Sequence, residues 1–411
     1  MPRHDEPPQI PDRPELTFHW YLPPFVDSRY VVGGGPGGRV AAHGRDGLPD
    51  RAVDARYLTQ LALAAEQNGF DSVLIPVGLW CEDPWLIATS LLGATDRLKF
   101  LVAVRPGLAT ALKEAQSAAT FQRLSGDRLL INLVTGGEPA QQRATGDRVP
   151  KAERYERTAE YLEVWKQLWT SPEPVDYAGR HVDIRGARLP VRPATVPPVY
   201  FSGSSPEAVR VAADHADTYL TWGERPGDVG KKLRELPGAR GGLRVHVTAR
   251  ETSDQAWEAA AQLLTHVSES DVRAAQEAIA SSESESQRRI AELHGRGSAF
   301  RRGDDVRALQ IHPGLWTGVG LVRGGAGTAL VGSYDEVADL IAEYQHEGVT
   351  EFVLSGYPHL EETYHVGEGV IPALRRRGYP VTHHGGPLVS ESTSDSASGS
   401  VAETREEVKS A

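Results

Sequence analysis

The chain has 411 residues, a net charge of −11 at pH 7 and 24% charged side chains, which is the composition of an acidic globular protein. The acidic balance argues against general nucleic-acid binding. No stretch approaches the roughly 18 apolar residues that a membrane-spanning helix needs, and the single cysteine, Cys81, excludes an internal disulfide framework and any cysteine-rich metal cluster.

Both ends of the chain differ in composition from the middle. Residues 1–15 are rich in proline and charge and lack the apolar core of a secretory signal, while residues 384–411 form a low-complexity run of small and acidic residues. Such segments bury too little apolar area to offset the entropy lost on ordering. We therefore expect a flexible arm, a disordered tail and a cytoplasmic protein.

Eight short apolar runs alternate with helical patterns across residues 16–383. The runs are LTFHWYL (16–22), SVLIPV (72–77), LKFLVAV (98–104), RLLINLV (128–134), PVYFSG (198–203), TYLTW (218–222), LRVHVTA (243–249) and EFVLSG (351–356). Helical patterns cover 53–69, 84–94, 110–124, 151–169, 205–214, 253–266 and 335–347. Eight strands separated by helices predict an α/β fold, the (β/α)8 TIM barrel. An open doubly wound sheet is the alternative, but no nucleotide fingerprint follows an early strand.

A polar, serine-rich stretch at residues 268–315 interrupts this alternation between strands 7 and 8. Insertions of this length in a compact barrel are typically lids or disordered segments. The position next to the strand ends favours a mobile lid, and a solvated surface excursion is the alternative.

Polar residues collect on strand 7 and after strand 8, at the end of the barrel where such enzymes carry their catalytic groups. Arg244 and His246 are two apart and therefore share a face of strand 7, and Tyr357 follows strand 8. Buried arginine and histidine are costly unless they are paired or bind a ligand. The alternatives are internal ion pairs for the arginines and a satisfied core position for His246.

The glycine-rich run LVRGGAGTALVG, residues 321–332, fails the tests for a nucleotide loop. Leu330 stands where a dinucleotide fingerprint needs its third glycine, and Ser333 stands where a P-loop needs lysine. We interpret the glycines as a mobile hinge for Arg323, whose planar fork of donors suits phosphate, carboxylate or sulfonate oxygens.

Gly203, Ser204 and Ser205 directly precede a helix, where free amides and hydroxyls favour an anion. An ordinary N-cap serine is the alternative. Since the chain has no P-loop, a phosphate here points to a flavin mononucleotide rather than a triphosphate. No grouping of His, Asp and Glu has metal-ligand spacing, so we expect no metal site.

Long segments of the chain resemble the flavin-dependent alkanesulfonate monooxygenases of the bacterial luciferase superfamily, in order, from about residue 16 to 375. The segments are IPVGLWCEDPW, LKFLVAVRPG, NLVTGGEP, ERYERTAEYLEVW, YFSGSS, YLTWGE, VHVTARET, LWTGVGLVRGGAGTALVG and FVLSGYPHLEE. The resemblance implies a two-component enzyme: an NAD(P)H-dependent FMN reductase supplies reduced FMN, and oxygen is used to convert a sulfonate into an aldehyde and sulfite. It also implies a homodimer or homotetramer.

The resemblance also implies site residues. Active-site positions of the family fall on Cys81, Trp222, Arg244, His246, Arg323 and Tyr357, of which Trp222, Arg244 and Arg323 would also contact the substrate. Positions that hold the flavin ring and phosphate fall on Asn132, Thr135, Tyr155, Ser204 and Ser205.

The segment after strand 1 departs from the family pattern, because Phe25 and Arg29 stand in place of two histidines. We expect Phe25 to shape the substrate pocket. This leaves open the same flavin chemistry on a different organosulfur compound. A non-catalytic flavin or anion binder is a third hypothesis, against which the full set of arginine, histidine and tyrosine argues.

Overall fold

The computed structural model describes residues 13–23, 25–31, 50–293, 295 and 300–382. The predicted arm and tail lie outside these residues, except for 13–15. Within the described part, the predicted strands and helices can be compared with the structure directly.

Eight parallel strands close into a barrel. They are β1 Thr17–Tyr21, β2 Ser72–Ile75, β3 Lys99–Val104, β4 Leu129–Leu133, β5 Val199–Ser202, β6 Thr218–Trp222, β7 Arg240–Arg250 and β8 Val349–Ser355. Each strand pairs with the next along the chain, and β8 pairs with both β7 and β1, so the ring has no open edge. The TIM-barrel prediction is confirmed.

Helices cover the outside of the barrel and the carboxyl end of its strands. They are Ala55–Gln67, Pro84–Leu92, Ala111–Ser125, Pro139–Ala144, Lys151–Thr170, Pro206–His215, Pro226–Leu233, Ser253–Leu263, Glu269–Ala280, Glu285–Leu293, Tyr334–His346, His359–Tyr364 and Ile371–Arg376. Short strands outside the barrel are Val26–Asp27, Arg51–Ala52, Val175–Ala178, Asp183–Ala187, Gln310–His312, Leu315–Trp316 and Ala329–Ser333.

The strands are apolar on both faces because each face packs against protein. One apolar layer fills the barrel, with a residue from each of seven strands: Tyr21, Leu74, Leu101, Leu130, Tyr200, Leu220 and Val353. The outward-facing residues pack under the helices. Trp165 and Trp169, four apart on one helix face, donate to the carbonyls of Ala111 and Ala115 at 2.9 and 3.0 Å, which fixes one outer helix on its neighbour.

A polar network closes the amino-terminal end of the barrel around the buried carboxylate of Glu351. His19 Nε2 lies 3.1 Å and Arg240 Nη1 lies 3.0 Å from its oxygens, and the Tyr200 hydroxyl donates to it. Ser72 contacts the other ring nitrogen of His19 at 2.7 Å. The charge is therefore paired, as a buried carboxylate requires.

The insertion between β7 and β8 is confirmed in position and contains two helices, Glu269–Ala280 and Glu285–Leu293, here called the lid helices. Its mobility stays a prediction. One strand was not predicted from the sequence. The second half of β7 pairs with the strand Ala329–Ser333, which lies at the end of the glycine-rich run that was interpreted as a loop. This pairing anchors the end of the Arg323 loop to the barrel.

Candidate active site

A cavity of about 180 Å³ opens at the carboxyl ends of the barrel strands. Arg244 and Arg323 both line it, together with Trp80, Trp222 and Asn132. Two guanidiniums from distant parts of the chain thus share one space with aromatic walls. Such a cavity suits a ligand that is flat and apolar over most of its area and that carries an anionic group.

Arg244 extends from β7 into the barrel and is held by neutral partners. It donates to the Val245 carbonyl and to the Ser355 hydroxyl, both at 2.9 Å, and its guanidinium lies 4.4 Å from the centroid of the Tyr21 ring. No carboxylate among the described residues lies within 4.0 Å of it, so the internal ion pair considered for this arginine is absent there. Burial lowers the pKa of Arg244 to about 10, which leaves it a cation at neutral pH.

His246 is fully enclosed two residues further along β7. Its Nδ1 lies 2.7 Å from the Ser355 hydroxyl, and the ring also interacts with the backbone of Ala326. Burial and the charges of Arg244 and Arg323 hold its pKa well below the usual 6.5. His246 is therefore neutral near pH 7.

Tyr357 stacks on His246, with ring centroids 5.6 Å apart and planes inclined by 16°. Its hydroxyl is buried, and its hydrogen-bond partner is the Arg323 side chain. Burial raises the pKa of Tyr357, although the charge of Arg323 opposes that shift. The phenol stays protonated and is available as a donor.

Arg323 lies in the loop that follows the short 3₁₀ turn Gly318–Leu321 and is 7% exposed. Gly325 just beyond it has φ of 89°, a left-handed conformation that favours glycine. The loop, with Gly324 and Ala326, lines the cavity together with Asn132 of β4. The structure thus brings Arg323 to the same cavity as Arg244.

Asn132, predicted to hold the flavin ring, is the last residue but one of β4 and lines the cavity. Its Oδ1 is buried and has no partner among the described residues. A buried amide oxygen without a donor is rare in folded proteins. The atom points to a ligand that carries a hydrogen-bond donor at this wall.

The turn Gly203–Ser205 lies after β5, as predicted, and Tyr155 reaches it. A Cβ placed on Gly203 would be 3.6 Å from the Tyr155 hydroxyl, and the Gly203 carbonyl accepts a hydrogen bond from Tyr219. Ser205 is the N-cap of the helix Pro206–His215, its Oγ accepting from the Ala208 amide at 3.3 Å. The N-cap alternative is therefore present, and the phosphate role stays a prediction.

Nine predicted site residues are not among those that line the cavity: Phe25, Cys81, Thr135, Tyr155, Gly203, Ser204, Ser205, His246 and Tyr357. Cys81 contacts the carbonyls of Pro76 and Gly78 through Sγ at 3.4 Å, on the far side of the loop after β2. Thr135 follows β4 beyond the cavity wall. Phe25 is half-buried and packs against an apolar cluster that includes Tyr357 and Val272 of the first lid helix. Its connection to the site is through this cluster.

Sequence reasoning missed several residues that organise the site. Ser355 bridges Arg244 and His246, and Tyr21 supports the Arg244 guanidinium. Both are the last residues of their barrel strands, at the end of the barrel that holds the site. This position was the feature of the sequence that could have singled them out. Behind them, the buried Asp27 carboxylate accepts from the His359 amide at 2.9 Å and from the Tyr57 hydroxyl, and burial raises its pKa to about 6.

A closed barrel whose carboxyl end holds a buried cationic cavity has the architecture of a TIM-barrel enzyme. A family model described as luciferase-like monooxygenase matches residues 17–351, from β1 into β8. The match spans well over half of the chain. The protein belongs to the luciferase-like monooxygenase family.

Solved structures with the same fold are similar along most of their length. A riboflavin lyase, solved with modified FMN and riboflavin, has a TM-score of 0.70 and 18% identity, over 91% of this chain and 94% of that one. EDTA monooxygenase from Chelativorans sp. BNC1 has a TM-score of 0.64 and 18% identity, over 89% and 94%. A long-chain alkane monooxygenase has a TM-score of 0.62 and 18% identity, over 89% and 92%.

The described residues contain neither a membrane-spanning helix nor a cluster of metal ligands. None of the helices there combines the length and the apolar character that a bilayer crossing requires. No group of three or more His, Cys, Asp and Glu side chains in that part of the chain is arranged to hold a metal ion.

Proposed function

We propose that this protein is an FMN-dependent alkanesulfonate monooxygenase, which uses reduced FMN and oxygen to convert a sulfonate into an aldehyde and sulfite. The observation that carries the proposal is the buried Arg244, which has no carboxylate partner among the described residues and lines one cavity with Arg323. Removing a guanidinium from water without a counter-ion is costly, so an anionic ligand would offset that cost.

A sulfonate suits this pair better than a carboxylate or an amine does. It is a monoanion at every physiological pH, and guanidinium forks match its oxygens. Arg244 keeps its charge, since its pKa remains about 10. Trp222, in register with Arg244 on the neighbouring strand β6, gives the alkyl chain an apolar surface.

The remaining lining supports a flavin next to that anion. Asn132 offers the ring edge an amide oxygen that has no partner among the described residues, and Trp80 and Leu74 offer apolar walls. Thr135, Tyr155 and the turn Gly203–Ser205 would hold the ribityl phosphate. When bound, reduced FMN supplies the electrons that activate oxygen.

His246 and Tyr357 are the donors for charge that develops on oxygen during the reaction. Both are neutral and buried, and the charge of Arg323 acts on both. Donors held in place in a water-poor site stabilise such charge most effectively. Excluding water, the task of the lid helices, also limits the loss of activated oxygen as hydrogen peroxide.

Reconstitution tests the proposal. The protein is mixed with an FMN reductase, NAD(P)H, FMN, oxygen and alkanesulfonates of increasing chain length, and sulfite and aldehyde are measured. We expect equal amounts of both products from the wild type, and a loss of at least about a hundredfold in kcat/KM for Arg244→Ala and Arg323→Ala.

Arg185→Ala is the matched control, because that arginine is exposed on the hairpin away from the cavity, with 67% of its side chain accessible. It should keep the wild-type rate. Oxidised FMN should still bind both cavity variants. The proposal fails if sulfite does not form with any sulfonate, or if Arg244→Ala forms it at the wild-type rate.

A further inference from the structure

The segment that leads into the second lid helix contacts two parts of the site at once. This segment, residues 282–287, covers the end of the preceding loop and the start of the helix and is here called the lid turn. Its Glu283 amide donates to the Gly137 carbonyl at 3.0 Å, in the loop after β4, and its carboxylate lies 3.3 Å from Arg154 Nη2. The lid turn is therefore docked on the barrel mouth.

Ser286 connects the lid turn to the turn Gly203–Ser205. Its hydroxyl lies 3.1 Å from that of Ser204. One helical turn later, Arg289 lies 3.5 Å from the Glu285 carboxylate, and its charge acts on Tyr219, whose hydroxyl donates to the Gly203 carbonyl. The lid thus presents a hydroxyl and a cation at the turn where the proposed function places the FMN phosphate.

Gln287, the next residue, connects the lid turn to the Arg323 loop. Its Oε1 accepts a 2.6 Å hydrogen bond from the Gly325 amide, and the residue is 3% exposed. Gly325 is two residues beyond Arg323, and both line the cavity. A buried bond this close to a glycine with φ of 89° restricts the conformations open to the loop.

We propose that the lid turn couples occupation of the phosphate turn to the placement of Arg323. Ser286 is a further hydroxyl ligand of a phosphate monoester, and Gln287 is a positioning residue that holds the Arg323 loop. The inference rests on the proposed function, because it takes the Gly203–Ser205 turn as the phosphate site.

The coupling follows from the adjacency of the two residues. A phosphate at Ser204 attracts the Ser286 hydroxyl and the Arg289 cation, and so draws the first turn of the lid helix onto the barrel. Because Gln287 belongs to the same turn, it cannot bond Gly325 unless that turn is docked. Arg323 would thus be held more firmly when the cofactor is present, before an anionic substrate enters.

Gln276, on the other lid helix, supplies a matched control. Its Nε2 donates to the carbonyls of Gly320 and Leu321 at 2.9 and 3.0 Å, so it holds the same loop from a side remote from the phosphate turn. Gln276→Ala removes contacts to the loop without cutting the link through the lid turn.

Hydrogen–deuterium exchange with oxidised FMN and with riboflavin, each at saturating concentration, tests the inference. In the wild type, FMN should protect the amides of residues 282–293 and 318–327, whereas riboflavin, which lacks the phosphate, should protect neither. Ser286→Ala should bind FMN about tenfold more weakly, the loss typical of one hydrogen bond to a charged group. It should bind riboflavin as the wild type does, and saturating FMN should no longer protect 318–327.

Gln287→Ala separates the two ends of the link. It should bind FMN with unchanged affinity and keep the protection of 282–293, but lose that of 318–327; in turnover, kcat should fall while the KM for reduced FMN stays constant. In Gln276→Ala, the amides of residues 318–327 should exchange faster than in the wild type, yet FMN should still increase their protection.

The inference is overturned if FMN still increases the protection of 318–327 in Gln287→Ala, or if riboflavin protects as much as FMN does. Either result leaves the proposed function intact. If the wild type binds neither flavin, the proposed function fails and the inference fails with it.

Discussion

Arg244 and His246 contact the same hydroxyl, that of Ser355, at 2.9 and 2.7 Å. One small side chain on β8 thus sets the position of two charged or polar groups on β7. Backbone pairing fixes both strands through this region. The Ser355 hydroxyl therefore cannot shift to follow Arg244 or His246 if either is displaced.

Ser355→Ala should therefore affect the reaction more than it affects the fold. We expect kcat/KM for sulfonate to fall about 10- to 100-fold, as when a partner that orients an active-site group is removed, and the free energy of unfolding to fall by about 1–3 kcal/mol. Steady-state sulfite assays and urea unfolding measure the two quantities.

Ser72→Ala is the control for that variant. Ser72 makes a 2.7 Å contact to His19 Nδ1 that resembles the Ser355 contact, but at the other end of the barrel. It should lose similar stability and keep its kinetics. Equal kinetic losses in both variants would mean that Ser355 acts only through stability.

The pH dependence of substrate binding follows from Arg244. Burial lowers the pKa of this arginine to about 10, so the cation is present at neutral pH and is lost as the pH rises through that value. His246 has a pKa well below 6.5 and stays neutral. We expect a KM for sulfonate that is constant from about pH 7 to 9 and rises near pH 10, with no step at the usual pKa of histidine. A step near pH 6.5 that His246→Gln removes would show that His246 titrates in the site.

Much of the barrel could be predicted from the sequence because strands buried on both faces read as unbroken apolar runs. The eight apolar runs predicted the eight strands. The two-residue spacing of Arg244 and His246 predicted that their side chains share one face of β7. The strand Ala329–Ser333 was hidden, because its glycine and threonine neighbours carry turn chemistry and its pairing partner, β7, lies some 80 positions away in the chain. The hairpin Val175–Ala187 was also missed, since its alternating polar residues match a surface loop.

Site residues differed in how far they could be predicted. Arg244 and Arg323 could be singled out because a cation in an apolar context is unusual at any position. Ser355 and Tyr21 could not, because serine and tyrosine at strand ends have many ordinary uses. Their importance comes from contacts between strands, which are distances in space that no local pattern records.

The Cys81 thiol should react slowly with alkylating reagents and should contribute little to catalysis. Burial raises the pKa of its thiol to about 12, so almost none is thiolate at pH 8. We expect iodoacetamide to alkylate Cys81 at least about a hundredfold more slowly than free cysteine, and Cys81→Ser to change kcat/KM less than about threefold. Mass spectrometry over time measures the first quantity. Fast alkylation, or a large kinetic loss in Cys81→Ser, would place the thiol in direct contact with the reacting groups.

Glu351, at the opposite end of the barrel, should make stability depend on pH. Burial acts to raise the pKa of this carboxyl, but the hydrogen bond and charge of His19 and the charge of Arg240 outweigh it, so the pKa is lowered. A depressed carboxyl pKa adds stability above the unfolded value, about 4.3, and that contribution is lost as the pH falls through the folded pKa.

Glu351→Gln should therefore lower the free energy of unfolding at pH 7 by about 3 kcal/mol, because it leaves the polar groups around the carboxylate without their counter-charge. The deficit relative to the wild type should shrink as the pH drops below about 4.3, where the wild type loses the same charge. Urea unfolding at a series of pH values measures this convergence. A deficit that stays constant down to low pH would mean that Glu351 contributes through packing, and that its charge is not what closes this end of the barrel.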